Sequence, residues 1–275
     1  MLDATTIDGV TWAGRAGTGP DVLFLGGPLD DAASLRPLLR ELESAHRVTA
    51  FDPRGSGLGI TPLAPPSVEE LVGDALTVLR EADVARAHVV GASLGGLVAQ
   101  RLALDHPDRV ESLVLSGSWA RSDRFLRGVL REWAMAAERA RSVDELRTHL
   151  ALWTEGRAAW NGLEVDDRLA ELEGTGPREI ERIRVGLQAA LAAAFDPGAA
   201  DRLTALRVPT LVIGGEEDRV SSPRLARELA ELIPGAQLTV LPGAGHHVHH
   251  DDPGRFAELL ERFWDGEGEL AAAAP

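Results

Sequence analysis

Apolar residues recur along the chain in two periods, and the alternation between those periods outlines the fold. Short runs rich in β-branched and aliphatic residues predict buried strands at DVLFL (21–25), HRVTAFD (46–52), AHVVGA (87–92), RVESLVLSG (109–117), VPTLVIGG (208–215) and AQLTVLPG (236–243). Between them the spacing turns helical, with leucines at 35, 38, 39 and 42, apolar positions at 71, 72, 75, 76 and 79 within 67–84, and further helices over 222–233 and 253–264. Ser67, followed three residues later by Glu70, reads as a capping box, and Pro37 fits only in a first helical turn. Residues 5–13 set strand formers around Asp8-Gly9, a hairpin dipeptide, so the chain opens with short antiparallel strands. The alternation predicts an α/β fold, a mostly parallel central sheet of about eight strands flanked by helices, with active groups at the strands' carboxyl ends.

From about 120 to 205 the strand rhythm stops. Amphipathic helical stretches at 125–140, 143–153, 166–173 and 178–195 are broken by Gly156, Gly162 and a turn at 174–177. The expected organisation is one core, 1–119 with 206–275, interrupted by a helical insertion at 120–205, and the tail 266–275 is expected to fray. Trp119, Trp133, Trp153 and Trp160 cluster in or just before the insertion, as core or as the lining of an apolar substrate pocket.

Composition narrows the function classes. A net charge of −15 over 275 residues disfavours nucleic acid or an anionic membrane as partner, and 44% apolar residues suffice for a large core. With no cysteine there is no disulfide, thiolate nucleophile or cysteine-ligated metal. The acidic and polar start, MLDATTIDGV, lacks the pattern of a secretion signal, and no apolar run approaches bilayer length, which predicts a soluble cytoplasmic protein. The expected partner is a small-molecule substrate, with no cofactor and no metal; oligomeric state has no signature here.

One stretch carries chemistry. GASLGG, 91–96, lies between a predicted strand and a predicted helix and matches the G-x-S-x-G elbow, which lifts a serine above a sheet. A serine needs a base within hydrogen-bond reach and a carboxylate to orient that base. Candidates follow the last two predicted strands: Asp218, with Glu216 and Glu217 as rivals, then His246, with His247, His249 and His250 as rivals. The run HHVHH also has the residue type of a zinc site, but the expectation is that one imidazole is catalytic and the others sit on a solvated loop. Asp52 and Arg54 are expected to brace their loop, and Gly55, Gly57 and Gly59 lack the lysine of a phosphate cradle.

These motifs, with FDPRGSG (51–57), ALDHPDRVESLVL (103–115), GGEEDRV (214–220) and PGAGHHVHHDDP (242–253), resemble the α/β-hydrolase fold superfamily over nearly the whole chain. The likeness extends to esterases, enol-lactonases and cofactor-free haloperoxidases with a helical cap between the sixth and seventh strands, here 120–205. It implies a Ser93, His246, Asp218 triad acting through an acyl-enzyme on a small, fairly apolar ester, lactone or related acyl compound. It favours Asp218 through the G-x-x-D-x-V match and His246 through its place after Gly245. It implies an oxyanion hole from the N–H groups of Gly27 and Leu94, while Leu25 stands where the family has histidine. The same scaffold runs acyl transfer, cyclisation, perhydrolysis and C–C hydrolysis, and a non-catalytic ligand-binding protein on the same fold is the alternative from another class.

Overall fold

The structure is a computed structural model that describes residues 5–7, 10–28, 30–32, 34–55, 59–161, 177–194 and 199–266. The Asp8-Gly9 turn, Gly57, Gly162, the predicted helix at 166–173, residues 174–176 of the predicted turn and nearly all of the tail lie outside these residues. Six mutually parallel strands form the body of the sheet: β3 (Asp21–Leu25), β4 (Arg47–Asp52), β5 (Ala87–Ala92), β6 (Val110–Ser116), β7 (Thr210–Gly215) and β8 (Gln237–Leu241). An antiparallel pair, β1 (Thr5–Ile7) and β2 (Val10–Ala16), extends it to eight strands in the order β1-β2-β4-β3-β5-β6-β7-β8.

Side chains alternate across the sheet, and both faces are covered. Leu23, Val89, Leu113, Leu115 and Val212 belong to one buried cluster with α2 (Val68–Glu81), α3 (Leu94–Asp105) and α8 (Pro223–Leu232). Val22, Phe24, Val90, Val114 and Ile213 pack with α1 (Arg36–Leu42) and α10 (Pro253–Trp264) on the other face. Burial on both faces explains why these strands read as continuous apolar runs. The helices start where their sequences dictate: Ser67 accepts from the Glu70 N–H at 3.2 Å while the Glu70 carboxylate accepts from the Ser67 N–H at 2.8 Å, and Pro37 and Pro253 sit in first turns.

Between β6 and β7 the chain forms α4 (Arg124–Arg139), α5 (Val143–Thr154), α6 (Arg157–Asn161) and α7 (Pro177–Ala193). A four-residue helix, α9 (Val248–Asp251), follows β8 and holds two histidines of the histidine run, His249 and His250. Strand order reverses at β3: the chain passes from β3 to β4 on one side and returns to β5 on the other. A crevice forms outside the carboxyl ends of strands at such a reversal, and here those ends lie side by side, Leu25 pairing in register with Gly91, the residue before the end of β5.

Candidate active site

Ser93 sits at the turn from β5 into α3 with φ 51° and ψ −116°, outside the usual regions for a residue with a side chain. The turn closes only because its neighbours are glycines. A Cβ on Gly91 would lie 2.5 Å from the Gly95 carbonyl oxygen, and one on Gly95 would fall onto the backbone of Leu25 and Gly26. The Ser93 hydroxyl therefore stands at the start of α3, where the first N–H groups, Leu94 included, have no carbonyl four residues back to accept them.

His246 Nε2 lies 3.0 Å from Ser93 Oγ, and His246 Nδ1 lies 3.0 Å from Asp218 Oδ2. All three are buried, at 5%, 2% and 6% exposure for Ser93, His246 and Asp218. Asp218 is held by its own loop, Oδ1 accepting from the N–H groups of Val220 at 2.7 Å and Ser221 at 2.9 Å, Oδ2 accepting from Ser221 Oγ at 2.6 Å. Burial by itself would raise this carboxyl, but the His246 imidazole, the Ser221 hydroxyl and the Val220 N–H together bring it below the usual carboxylate range. The rival acids are engaged elsewhere: Glu216 accepts from the Gly243 N–H and Glu217 from the Arg157 N–H. The His246 backbone is fixed from the end of α5, its N–H donating to the Thr154 carbonyl at 2.6 Å.

Two residues that carry weight here have no sequence signature of their own. Ser221 lies close enough to share both partners, 3.2 Å from His246 Nδ1, and its only clue is its place three residues after Asp218. Thr154 is far from His246 in the chain and acts through its backbone, which no spacing reveals.

The other histidines depart from expectation. They do not occupy a solvated loop: His247 is 7% exposed and His249 1%, because the segment coils into α9 and packs against β3 and α10 through Phe24 and Phe256. Burial pushes the His247 imidazole well below its ordinary value and the His249 imidazole below its own. His249 Nε2 and His250 Nε2 lie 3.3 and 2.8 Å from Asp30 Oδ1. Burial would raise the Asp30 carboxyl, but these two imidazoles hold it well below the carboxylate range. The three donor atoms lie within 4.8 Å of one another, the set from which a divalent ion could be held. A ligating imidazole passes its other ring nitrogen to a partner; His249 Nδ1 is buried with none among the described residues, so the bonds to Asp30 account for the cluster better than a metal does.

The loop facing Ser93 also differs from expectation. A Cβ on Gly27 would lie 3.2 Å from the Ser93 Cβ, so Gly27 does reach the candidate nucleophile. Its N–H, however, is donated to Asp30 Oδ2 at 2.7 Å and is not free for an oxyanion. Beside this loop is a small apolar depression lined in part by Leu25, Phe51, Leu71, Val98, Gly186 and Ala189. None of the four tryptophans is among its described walls. Trp119 is buried in the core, Trp133 stands edge-on to His246 with ring centroids 6.4 Å apart, and Trp153 and Trp160 are half-buried. Arg54 reaches the depression but is clamped to Asp74 at 2.6 to 3.0 Å, and Asp52 accepts from the Ala32 N–H, which is the bracing expected of both.

Residues 20–253 match the family model described as alpha/beta hydrolase fold. The chain belongs to this family. It is similar to the RutD protein of Azorhizobium caulinodans, which is named as a carbamate hydrolase, at 31% identity over 90% of this chain and 92% of that protein. It is 35% identical to a 2-hydroxymuconate semialdehyde hydrolase of Pseudomonas putida, over 79% of this chain and 76% of the relative. Among solved structures, the enol-lactonase from Burkholderia xenovorans LB400 superposes with a TM-score of 0.80 at 25% identity, over 95% of this chain and 99% of that one. No described helix of the present hydrolase-family chain is long and apolar enough to cross a membrane.

Proposed function

We propose that this α/β-hydrolase-fold enzyme is a serine hydrolase that cleaves a small, fairly apolar ester or lactone through an acyl-enzyme on Ser93. The observation that carries this reading is the unbroken line Ser93 Oγ, His246 imidazole, Asp218 carboxylate, with both links at 3.0 Å. Ser93 Oγ attacks the acyl carbon while its proton passes to His246 Nε2. Asp218 keeps the imidazole in the tautomer with Nδ1 protonated and balances its charge, and the imidazolium then protonates the leaving oxygen. Water repeats the sequence to release the acid. The Leu94 N–H, at the positive end of α3, stabilises the oxyanion.

The helices between β6 and β7 serve as the cap in this reading. Its support is that Gly186 and Ala189 of α7 close the apolar depression, Trp133 of α4 stands beside His246, and the Thr154 carbonyl at the end of α5 holds the His246 N–H. Aliphatic walls and a charge-neutralised Arg54 favour an uncharged acyl group. The test is labelling with a fluorophosphonate probe and turnover of p-nitrophenyl esters. Ser93 is expected to be the labelled residue, and Ser93→Ala to abolish both; full turnover in that variant overturns the reading. A second reading, C–C bond hydrolysis on the same residues, is supported by the similarity to the 2-hydroxymuconate semialdehyde hydrolase. Product analysis with dienol and ester substrates side by side separates the two.

A further inference from the structure

The residue expected to complete the oxyanion hole is already bonded to something else. The Gly27 N–H donates to Asp30 Oδ2 at 2.7 Å, and the turn is closed in return by the Asp30 N–H on the Gly27 carbonyl at 3.1 Å. A bond this short to an ionised carboxylate commits the single proton of that N–H. The carboxylate is held from behind by His250 Nε2 at 2.8 Å and His249 Nε2 at 3.3 Å on its other oxygen. Asp30 Oδ2 and the Ser93 Cβ both lie within 3.5 Å of the point a Gly27 Cβ would occupy, so the contact borders the reacting centre.

We propose that Asp30, backed by His250, is a positioning residue that latches the oxyanion loop, holding the Gly27 N–H away from the acyl group until the tetrahedral oxyanion competes for it. This rests on the serine-hydrolase reading above. When Ser93 Oγ bonds to the acyl carbon, the carbonyl π pair moves onto oxygen and the serine proton moves to His246; the new oxyanion and the Asp30 carboxylate then become rival acceptors for one N–H. Handing it over requires rotation of the Gly26-Gly27 peptide. Both flanking residues are glycines, which turn about their backbone bonds at little steric cost. Leu25, at the near end of the loop, has an apolar side chain that offers it no hydrogen bond, whereas Asp30 holds the Gly27 N–H from the far end.

The test compares the wild-type enzyme with Asp30→Asn, which removes the charge but keeps the shape, and His250→Gln, which loosens the carboxylate from a partly exposed position. Three quantities are read: kcat and KM on p-nitrophenyl butyrate, and the inhibition constant of a trifluoromethyl ketone, whose adduct with a serine carries the oxyanion. One donor is worth roughly 10²–10³ in rate, and a weakened latch returns part of it, so kcat is expected to rise about tenfold and the ketone to bind about tenfold more tightly. KM is expected to stay nearly constant. A merely structural Asp30 would lower the melting temperature without changing ketone affinity relative to KM. A folded variant in which kcat and ketone affinity fall together, or do not move, overturns the latch. Where Asp30→Asn does not fold, His250→Gln decides by the same criteria. Failure of the fluorophosphonate to label wild-type Ser93 overturns the parent reading instead, and so is distinguishable from failure of the latch alone.

Discussion

Asp218 divides its carboxylate between two backbone N–H groups on one oxygen and the Ser221 hydroxyl with His246 on the other. Every one of those bonds favours the ionised form and fixes its direction, so the acid arrives at His246 pre-oriented. Asp218→Asn keeps the shape but offers an amide donor to Nδ1, which favours the wrong tautomer; kcat on a p-nitrophenyl ester is expected to fall by about 10⁴ with the circular dichroism spectrum unchanged. Glu216→Gln and Glu217→Gln are expected to leave kcat unchanged, because those carboxylates bond backbone N–H groups on the loop's surface. Ser221→Ala removes a hydrogen bond to a buried charged group, worth about 1.5–3 kcal/mol, and is expected to weaken the enzyme at the level of kcat. The meeting of Ser93, His246 and Asp218 was legible in sequence because the turn at Ser93 needs glycines at fixed places and Asp218 and His246 follow later strands. Ser221 was not, because a serine in a polar loop is ordinary until its hydroxyl is seen between the Asp218 carboxylate and the His246 imidazole.

At the scale of elements, the β5–α3 turn is held by close backbone approach. Gly95 lies against the carbonyls of Leu25 and Gly26, so a side chain there pushes α3 away from the very loop that faces Ser93. Gly95→Ala is expected to destabilise the protein by about 1–3 kcal/mol, the usual cost of overpacking, and to lower kcat, both measurable by urea titration and steady-state kinetics on the same sample. The start of α2 gives a contrasting case. Ser67→Ala removes one arm of the capping box on an exposed helix end and is expected to cost about 1 kcal/mol in urea without altering catalysis. Helices of two turns or so and longer show in the pattern of apolar positions, and caps of this kind in the spacing of Ser67 and Glu70. The five residues of α6 and the four of α9 do not, because such short pieces span barely one turn and never establish a period.

For the molecule as a whole, the buried histidines set the response to acid. His247 and His249 have lowered folded-state values, so below about pH 6.5 the unfolded chain takes up protons that the folded chain refuses. Their contribution to stability is complete above that pH and is lost as pH falls, by about 1.4 kcal/mol per pH unit per imidazole until the folded value is passed. Asp30 and Asp218, lowered from 3.8, withdraw their own contribution only at still lower pH. The urea midpoint is expected to drop between pH 7.5 and pH 5.5, and His247→Leu to flatten that drop; equal midpoints would mean the imidazoles are not held neutral.

The sequence by itself determined the strands and the longer helices, the faces they bury, the glycine-flanked turn at Ser93 and the order in which Asp218 and His246 follow it. All of these are local: they depend on periods of two and 3.6, on caps three residues apart, or on glycines where no Cβ fits. Only the tertiary structure decided that the Thr154 carbonyl holds His246, that the histidine run is buried, and that Asp30, 219 and 220 residues from His249 and His250, takes the Gly27 N–H. Contacts between distant residues follow from how the reversal at β3 brings the carboxyl ends of separate strands together, and no spacing within the chain encodes which side chain meets which backbone there.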